Sequence, residues 1–404
     1  MNMNKVLTAK QVQTGLQSNF GLEVEKNLVD LTNGELVKVP SKLLEKNLLG
    51  KISLDFAATQ LELATSPVPT VRQALEHLVS LQEQVITKLP RSSGLWPLSM
   101  PPALPKKEQQ IPIAYLDEQQ YRYRLGLAQR YGRRKQMMTG VHINVSFPPA
   151  LLAELFDGSK TCLSFPKFCD LLYCRVAQLF ISHRWLLIYL NGASPLAEEN
   201  FGWQSTQKVR SLHNSHQYGY YNDPLFLADY SSFQKYSHSL EDAVSSGLID
   251  TAREYYGPVR LRGEQNVSYI ELRGFDLDPW SKTGISAEML DFLNVWLLFL
   301  LDKVLKMTNE LTTAKLMTAL KKDDDVATED PQMQSKYHSE ATELLDELQG
   351  WVVSNNLSAN IQHVIEQASN LVKTPKKTAA ARLVTASHNH SLTGFSLNQL
   401  QSNK

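Results

Sequence analysis

Residues 21–31 read GLEVEKNLVDL. Leu22 and Val24 alternate with Glu23 and Glu25, which is the period of a β-strand with two unlike faces. One face is apolar and suits a core. The other carries two carboxylates with no basic residue between them. Exposed on an antiparallel sheet, such a face turns to solvent. In a sheet that closes around a cavity, it turns inward.

Three further segments share this pattern. KISLDFAATQLELAT, 51–65, reads as strand with Asp55 and Glu62 among apolar neighbours. TGVHINVSFPP, 139–149, puts Val141, Ile143 and Val145 on one face and His142, Asn144 and Ser146 on the other. VSYIELRGFDLDPW, 267–280, sets Tyr269, Glu271 and Arg273 opposite Ile270 and Leu272. A sheet packed on helices by its apolar face would gather the polar groups on one concave surface. Five carboxylates at close range cannot all ionise without compensation. Mg²⁺ or Mn²⁺ removes that conflict, because carboxylate oxygens with one imidazole suit these ions, which also bind nucleotide phosphates. Each residue keeps an ordinary reading as well. Glu23 and Glu25 fit a solvated strand face, Asp55 a turn, His142 a hydrogen-bonded structural role, and Glu271 and Arg273 cross-strand pairs.

Helices are expected over 6–19, over 117–137, over 167–190, and after SPVPT, where Thr70 is the N-cap and Leu75, Leu78 and Leu81 form the apolar stripe. Asn-Gly in TNGE, 32–35, signals a hairpin. Five prolines make 95–112 a loop. The segment 200–262 is polar and aromatic, and REYYGPVRLRG within it reads as loop. The run MLDFLNVWLLFLLDKVL, 289–305, is interrupted by Asp291, Asn294 and Asp302, and its uncharged part is too short to span a bilayer, so it reads as a buried helix. KKDDDVATEDPQ, 321–332, reads as a charged linker, 334–372 as helical, and the tail beyond as loosely ordered. Two units are expected, a catalytic domain over 1–320 and a helical C-terminal segment over 321–404.

Across 404 residues, 43% are hydrophobic and 20% charged, with a formal net charge of +0. That balance gives no electrostatic reason to expect nucleic acid or a membrane as partner. Cys162, Cys169 and Cys174 are odd in number and fit neither a zinc ribbon nor a CxxC pair, so they read as reduced thiols. MNMNKVLTAKQ has no apolar signal core, and the expected compartment is the cytoplasm. The cluster Arg133–Lys135 and the basic tail Lys373–Arg382 read as solvated charge.

Taken in order, GLEVEKNLV, LDFAATQLELATSPV, WPLSMPP, RYGRRKQMMTGVHINVSFP, YLNGASP, EYYGPVR and YIELRGFDLDP resemble the bacterial glutamate–cysteine ligases over about residues 20–300. The resemblance implies an α+β fold: a curved antiparallel sheet forming a funnel with helices on its outer face, as in the glutamine synthetase catalytic domain. It implies an ATP-dependent ligase that joins the γ-carboxyl of glutamate to the amine of cysteine through γ-glutamyl phosphate, the first step of glutathione synthesis. Glu23, Glu25, Asp55, Glu62, His142 and Glu271 would bind Mg²⁺ or Mn²⁺. Arg273 would stabilise the transferring phosphate, and Arg124 would hold glutamate or phosphate. Phe56, Tyr123, Leu127, Gln136, Tyr220 and Tyr256 fall where the family lines its cysteine pocket.

The sequence departs from the family in two places. The family's arginine just before its GY aligns here with His213 or Asn214, and the nearest arginine is Arg210. Beyond about residue 305 the motifs stop, and no ATP-grasp module for the second step is expected. These departures leave two alternatives to the cysteine-specific enzyme: the same ligation on another amine acceptor, and a non-catalytic regulatory relative. The oligomeric state stays open.

Overall fold

The computed structural model describes residues 6–203, 207–309, 311–387 and 391–402. The readings made for Met1–Lys5, for 388–390 and for 403–404 fall outside them. Among the described residues nine strands form one sheet: β1 (Asn19–Asp30), β2 (Glu45–Asn47), β3 (Gly50–Leu54), β4 (Gln60–Thr65), β5 (Val68–Pro69), β6 (Ser93–Leu95), β7 (Val141–Ser146), β8 (Val259–Arg262) and β9 (Tyr269–Phe275). The main path runs β2-β3-β4-β1-β7-β9-β8, with β5 and β6 also on β1, and every pairing is antiparallel. The sheet is open.

Its apolar face is the one the alternation marks. Leu22, Val24, Leu61, Leu63, Val141, Ile143, Val145, Ile270 and Leu272 are all buried there. The helices are α1 (Ala9–Gly15), α2 (Val71–Lys88), α3 (Glu118–Tyr131), α4 (Pro149–Asp157), α5 (Phe165–Asn191), α6 (Phe233–Ser245), α7 (Ala287–Lys306), α8 (Thr313–Ala327), α9 (His338–Ser354), α10 (Ala359–Lys373), α11 (Ala379–Ala386) and α12 (Leu392–Ser402). α2 packs on β1 and β4, and α5 on β8 and β9, with α7 behind them. Thr70 caps α2 through the amide of Gln73, and the helix buries Val71, Ala74, Leu78, Leu81 and Val85 at helical spacing. No helix among the described residues is long and apolar enough to cross a membrane, α5 and α7 included.

Several boundaries differ from the sequence reading, each for a local reason. Residues 51–65 are a hairpin and not one strand. Gln60 turns the chain: its side-chain oxygen accepts from the Ala57 amide, and its backbone oxygen from Asp55. After β1 the chain turns at Thr32–Glu35 and returns only as the antiparallel bridge Val29–Leu36, closed by Asp30 N donating to the Glu35 carbonyl and Val37 N to the Leu28 carbonyl, on the edge of β1 opposite β6. The helix read over 6–19 is the shorter α1, and β1 starts at Asn19. The helix read over 117–137 stops at Tyr131, where Gly132 takes a φ of 78° and donates to the Ala128 carbonyl. VRLR, read as loop, is strand β8.

The C-terminal differences each come from a contact between residues far apart in the chain. Acidic residues that read as solvated linker find distant cations. Asp323 is buried and accepts from Arg184 Nη1 of α5 at 2.8 Å, so the supposed linker continues helix α8. Past residue 373 the described tail is helical: Glu198 accepts from the amides of Leu392 and Thr393 and so holds the first turn of α12. Arg133 and Arg134 are not solvated either. They donate to the carbonyls of Gln109, Ile111 and Lys106 and tie down the loop before α3.

Candidate active site

Register does what spacing alone could not. Glu23 of β1 stands opposite His142 of β7, and Glu25 opposite Glu62 of β4. Asn144 of β7 faces Glu271 of β9, and Glu271 faces Arg260 of β8. Because side chains at i and i+2 share a face, these pairs and Arg273 all point to the side opposite the core. Asp55 joins them from the β3–β4 turn. All six acidic and imidazole candidates, with Arg273 and Arg124, line one cavity of about 330 Å³.

The other wall is aromatic. α3 supplies Tyr123, Arg124 and Leu127; Phe56 follows Asp55; Gln136, Tyr220 and Tyr256 complete it. The Tyr220 hydroxyl donates to the Met138 carbonyl at 3.2 Å, and Gln136 Nε2 donates to the Tyr256 hydroxyl at 3.4 Å. The Tyr220 and Tyr256 rings meet edge to face, 5.4 Å between centroids. Arg124 is fixed by the carbonyls of Leu54, at 3.1 Å, and Ala114, at 3.5 Å.

Charge divides the carboxylates into two groups. Glu271 accepts from Arg273 and Arg262, with Arg260 at 3.6 Å. Burial works against its charge, but Arg273, Arg260 and Arg262 outweigh it and hold the carboxyl well below the usual range. Glu23 is likewise lowered, because His142 and Asn144 overcome its burial. Burial and the neighbouring Arg273 lower His142, so its imidazole is neutral and keeps a lone pair. In the second group burial outweighs the favourable contacts. Burial, then the charges of Asp55 and Glu62, push Glu25 far up. Burial raises Asp55 despite the amide of Phe56 and the charge of Arg124. Burial, then Asp55 and Glu23, push Glu62 up to about 7.

Like charges directly opposite one another destabilise a sheet, and Glu25 and Glu62 are such a pair. Glu23, His142 and Glu271 each offer a ligand atom, all within 4.8 Å of one another. The residues therefore fit a hard divalent cation: oxygen donors in excess, one neutral imidazole, and negative charge that the protein leaves unbalanced.

The cavity also holds groups that the sequence reading did not assign. Arg253, Arg260 and Arg262 line it, the last two beside Glu271; the alternation of VRLR was their signal. Arg184 reaches it from α5, where an arginine inside FISHRWLLIYL stood out against an apolar helix. His213 and Asn214 line it at the place where the family pattern breaks. Arg210 does not; it is buried under the Tyr189 ring, 4.0 Å from its centroid, and faces Glu329.

A family model described as glutamate–cysteine ligase matches residues 3–246 and 226–325. The bifunctional glutathione biosynthesis protein GshAB of Enterococcus faecalis is 37% identical over 317 residues, 74% of this chain and 42% of that protein. GshAB of Streptococcus agalactiae is 33% identical over 400 residues, 96% of this chain and 52% of its own length. The likeness thus runs past residue 305, where the motifs stopped. The chain spans about half the length of these relatives. Among solved structures, a bifunctional glutathione synthetase from Pasteurella multocida superposes with a TM-score of 0.89 at 31% identity, over 97% of this chain and 53% of that one. The glutamate–cysteine ligase of Francisella tularensis, in complex with AMP, shares the fold with a TM-score of 0.83 at 22% identity, over 96% and 88%. The antiparallel sheet, its helices and the sequence relationship place the chain in the glutamate–cysteine ligase family.

Proposed function

We propose that the chain is an ATP-dependent ligase that joins the γ-carboxyl of L-glutamate to the amine of L-cysteine. The observation that carries this reading is the in-register pair Glu25 and Glu62, facing the same cavity as Arg273. Buried like charges beside an arginine suit a site that receives a cation and a phosphate together. The names of the matched relatives support the substrate assignment.

In this reading a γ-carboxylate oxygen of glutamate attacks the terminal phosphorus of ATP, and ADP leaves. The acceptor nitrogen then attacks the γ-carbon, and phosphate departs. Glu23, Glu25, Asp55, Glu62, His142 and Glu271 would hold Mg²⁺, or Mn²⁺ in its place. The bound ion would supply charge neutralisation for the transferring phosphoryl group. Arg273 stabilises the same developing charge through its guanidinium fork. Arg124 adds positive charge for glutamate or phosphate. Phe56, Tyr123, Leu127, Gln136, Tyr220 and Tyr256 line the acceptor side and keep water from the acyl phosphate. The compartment is the cytoplasm, in keeping with three free cysteines.

Incubation with glutamate, ATP, Mg²⁺ and a panel of amines tests the assignment. Cysteine-dependent phosphate release and a γ-glutamylcysteine mass are expected. Release with other amines but not with cysteine would move the chain to another acceptor, and no release with any amine would reject a ligase.

The carboxylates also make a stability prediction. Glu62 titrates near 7 in the folded chain and at its ordinary 4.5 when unfolded. The folded state binds that proton more tightly, so this group's stabilising effect is complete below about 4.5 and is lost as pH rises through about 7. Urea midpoints taken below and above that window should fall with rising pH in the absence of divalent ions, and Mg²⁺ should restore part of the loss. A midpoint at the higher pH that ignores Mg²⁺ would contradict a cation at these carboxylates.

A further inference from the structure

An amino-acid amine is mostly an ammonium at neutral pH and has no lone pair for attack. A ligase of the kind proposed above must therefore remove a proton from its acceptor. Among the described residues lining the cavity, His213 is the one imidazole or carboxylate outside the candidate cation set. Its surroundings form a built site. Nδ1 lies 2.8 Å from Asp276 Oδ1, past the end of β9. Asp276 is fully buried and also accepts from the Ala193 amide at 2.6 Å, the Ser194 hydroxyl at 2.9 Å and the Ser211 hydroxyl at 2.8 Å. With three other donors already on Asp276, its remaining role toward the ring is to accept from Nδ1–H, which leaves the Nε2 lone pair for the cavity.

The position suits the task. The imidazole packs on Gly140, where a Cβ would fall 2.7 Å from Cε1, and the Gly140 amide donates to Glu25 Oε2 at 3.1 Å. On its other side the ring meets Tyr220 edge to face, at 5.7 Å. His213 thus stands where the carboxylate group meets the aromatic wall. The charged and titratable groups around it are Asp276, Tyr220, Glu25 behind the Gly140 peptide, and Arg184 of α5 through Asn214.

We propose that His213, oriented by Asp276, is the base that takes the proton from the acceptor ammonium; this rests on the ligase reading. Nε2 accepts one ammonium proton. The freed nitrogen pair forms the C–N bond to the γ-carbon, the carbon–oxygen bond to phosphate breaks with its electron pair going to phosphate, and the second nitrogen proton leaves with that phosphate. Asp276 is a positioning residue.

The test compares L-cysteine with hydroxylamine, an amine already unprotonated at neutral pH, in the parent, H213Q and H213R. With cysteine, H213Q should lose about 100-fold or more in kcat, together with the acid limb of the parent's pH profile. Hydroxylamine should rescue its turnover. H213R, which holds carboxylates but accepts no proton, should fail with cysteine as H213Q does. Cysteine activity in H213R would mean that the side chain holds the acceptor's carboxylate, and would overturn the proposal. Equal loss with both acceptors in H213Q would assign His213 to structure and overturn it too. A parent inactive with both acceptors would instead remove the ligase reading, and this inference with it.

Discussion

Arg273→Ala lowers kcat by about 10³-fold or more, the scale on which arginines act in phosphoryl transfer, and leaves the chain folded. The fold survives because Glu271, the partner of Arg273, keeps Arg262 at 2.6 Å and Arg260 at 3.6 Å. Glu271 itself is therefore not stranded. Activity does not survive, because Arg273 is the guanidinium whose charge acts on Glu271, Glu25 and Glu23 together, within the cavity. Arg273→Lys should recover only part of the rate, since an ammonium lacks the planar fork. Steady-state kinetics beside a thermal melt separates the two effects. Parental kcat in the alanine variant would remove Arg273 from the chemistry, and a collapsed melt would make its role structural.

Asp323→Ala should destabilise the protein by about 3 kcal/mol, the low end of the range for breaking a buried ion pair from one side. Arg184 and Asp323 are 6% and 0% exposed, and Arg184 also donates to the Tyr221 hydroxyl at 3.0 Å and to Asn214. Burial pushes Asp323 up to about 7 against the pull of Arg184, so removing the carboxylate also relieves desolvation, which is why the low end applies. What remains is a guanidinium buried without its counter-ion. The pairing of Arg184 with Asp323 ties α5 to α8, and Asn214 follows His213 in the cavity wall, so activity should fall with stability. The double variant R184L/D323L should regain most of the urea midpoint without regaining activity. A single variant as stable as the parent would show that the pair does not hold α8.

How far these elements were legible depends on the range of the interaction that fixes them. The alternation in 21–31, 141–146 and 269–275 is local, and it assigned the faces of β1, β7 and β9 correctly. The pairing of Glu25 with Glu62 is not local. It depends on the Gln60 turn, which splits 51–65 into two strands, and only then does like face like. VRLR was hidden by the proline and glycine on either side of it, although Arg260 and Arg262 alternate as strand residues should. The acidic run around Asp323 looked solvated because its partner lies 139 residues away, on a helix that reads as apolar. His213 attracted notice only as a departure from a family pattern; its pairing with Asp276 spans 63 residues and has no signature along the chain.

Side chains from β1, β4, β7, β9 and the β3–β4 turn should form one cation site. Anomalous scattering from crystals grown with Mn²⁺ and a non-hydrolysable ATP analogue addresses it directly. Manganese peaks are expected within bonding distance of Glu23, His142 and Glu271 and beside Glu25 and Glu62. A nucleotide-bound crystal with no manganese in that cavity, or with its manganese held by other residues, would contradict it.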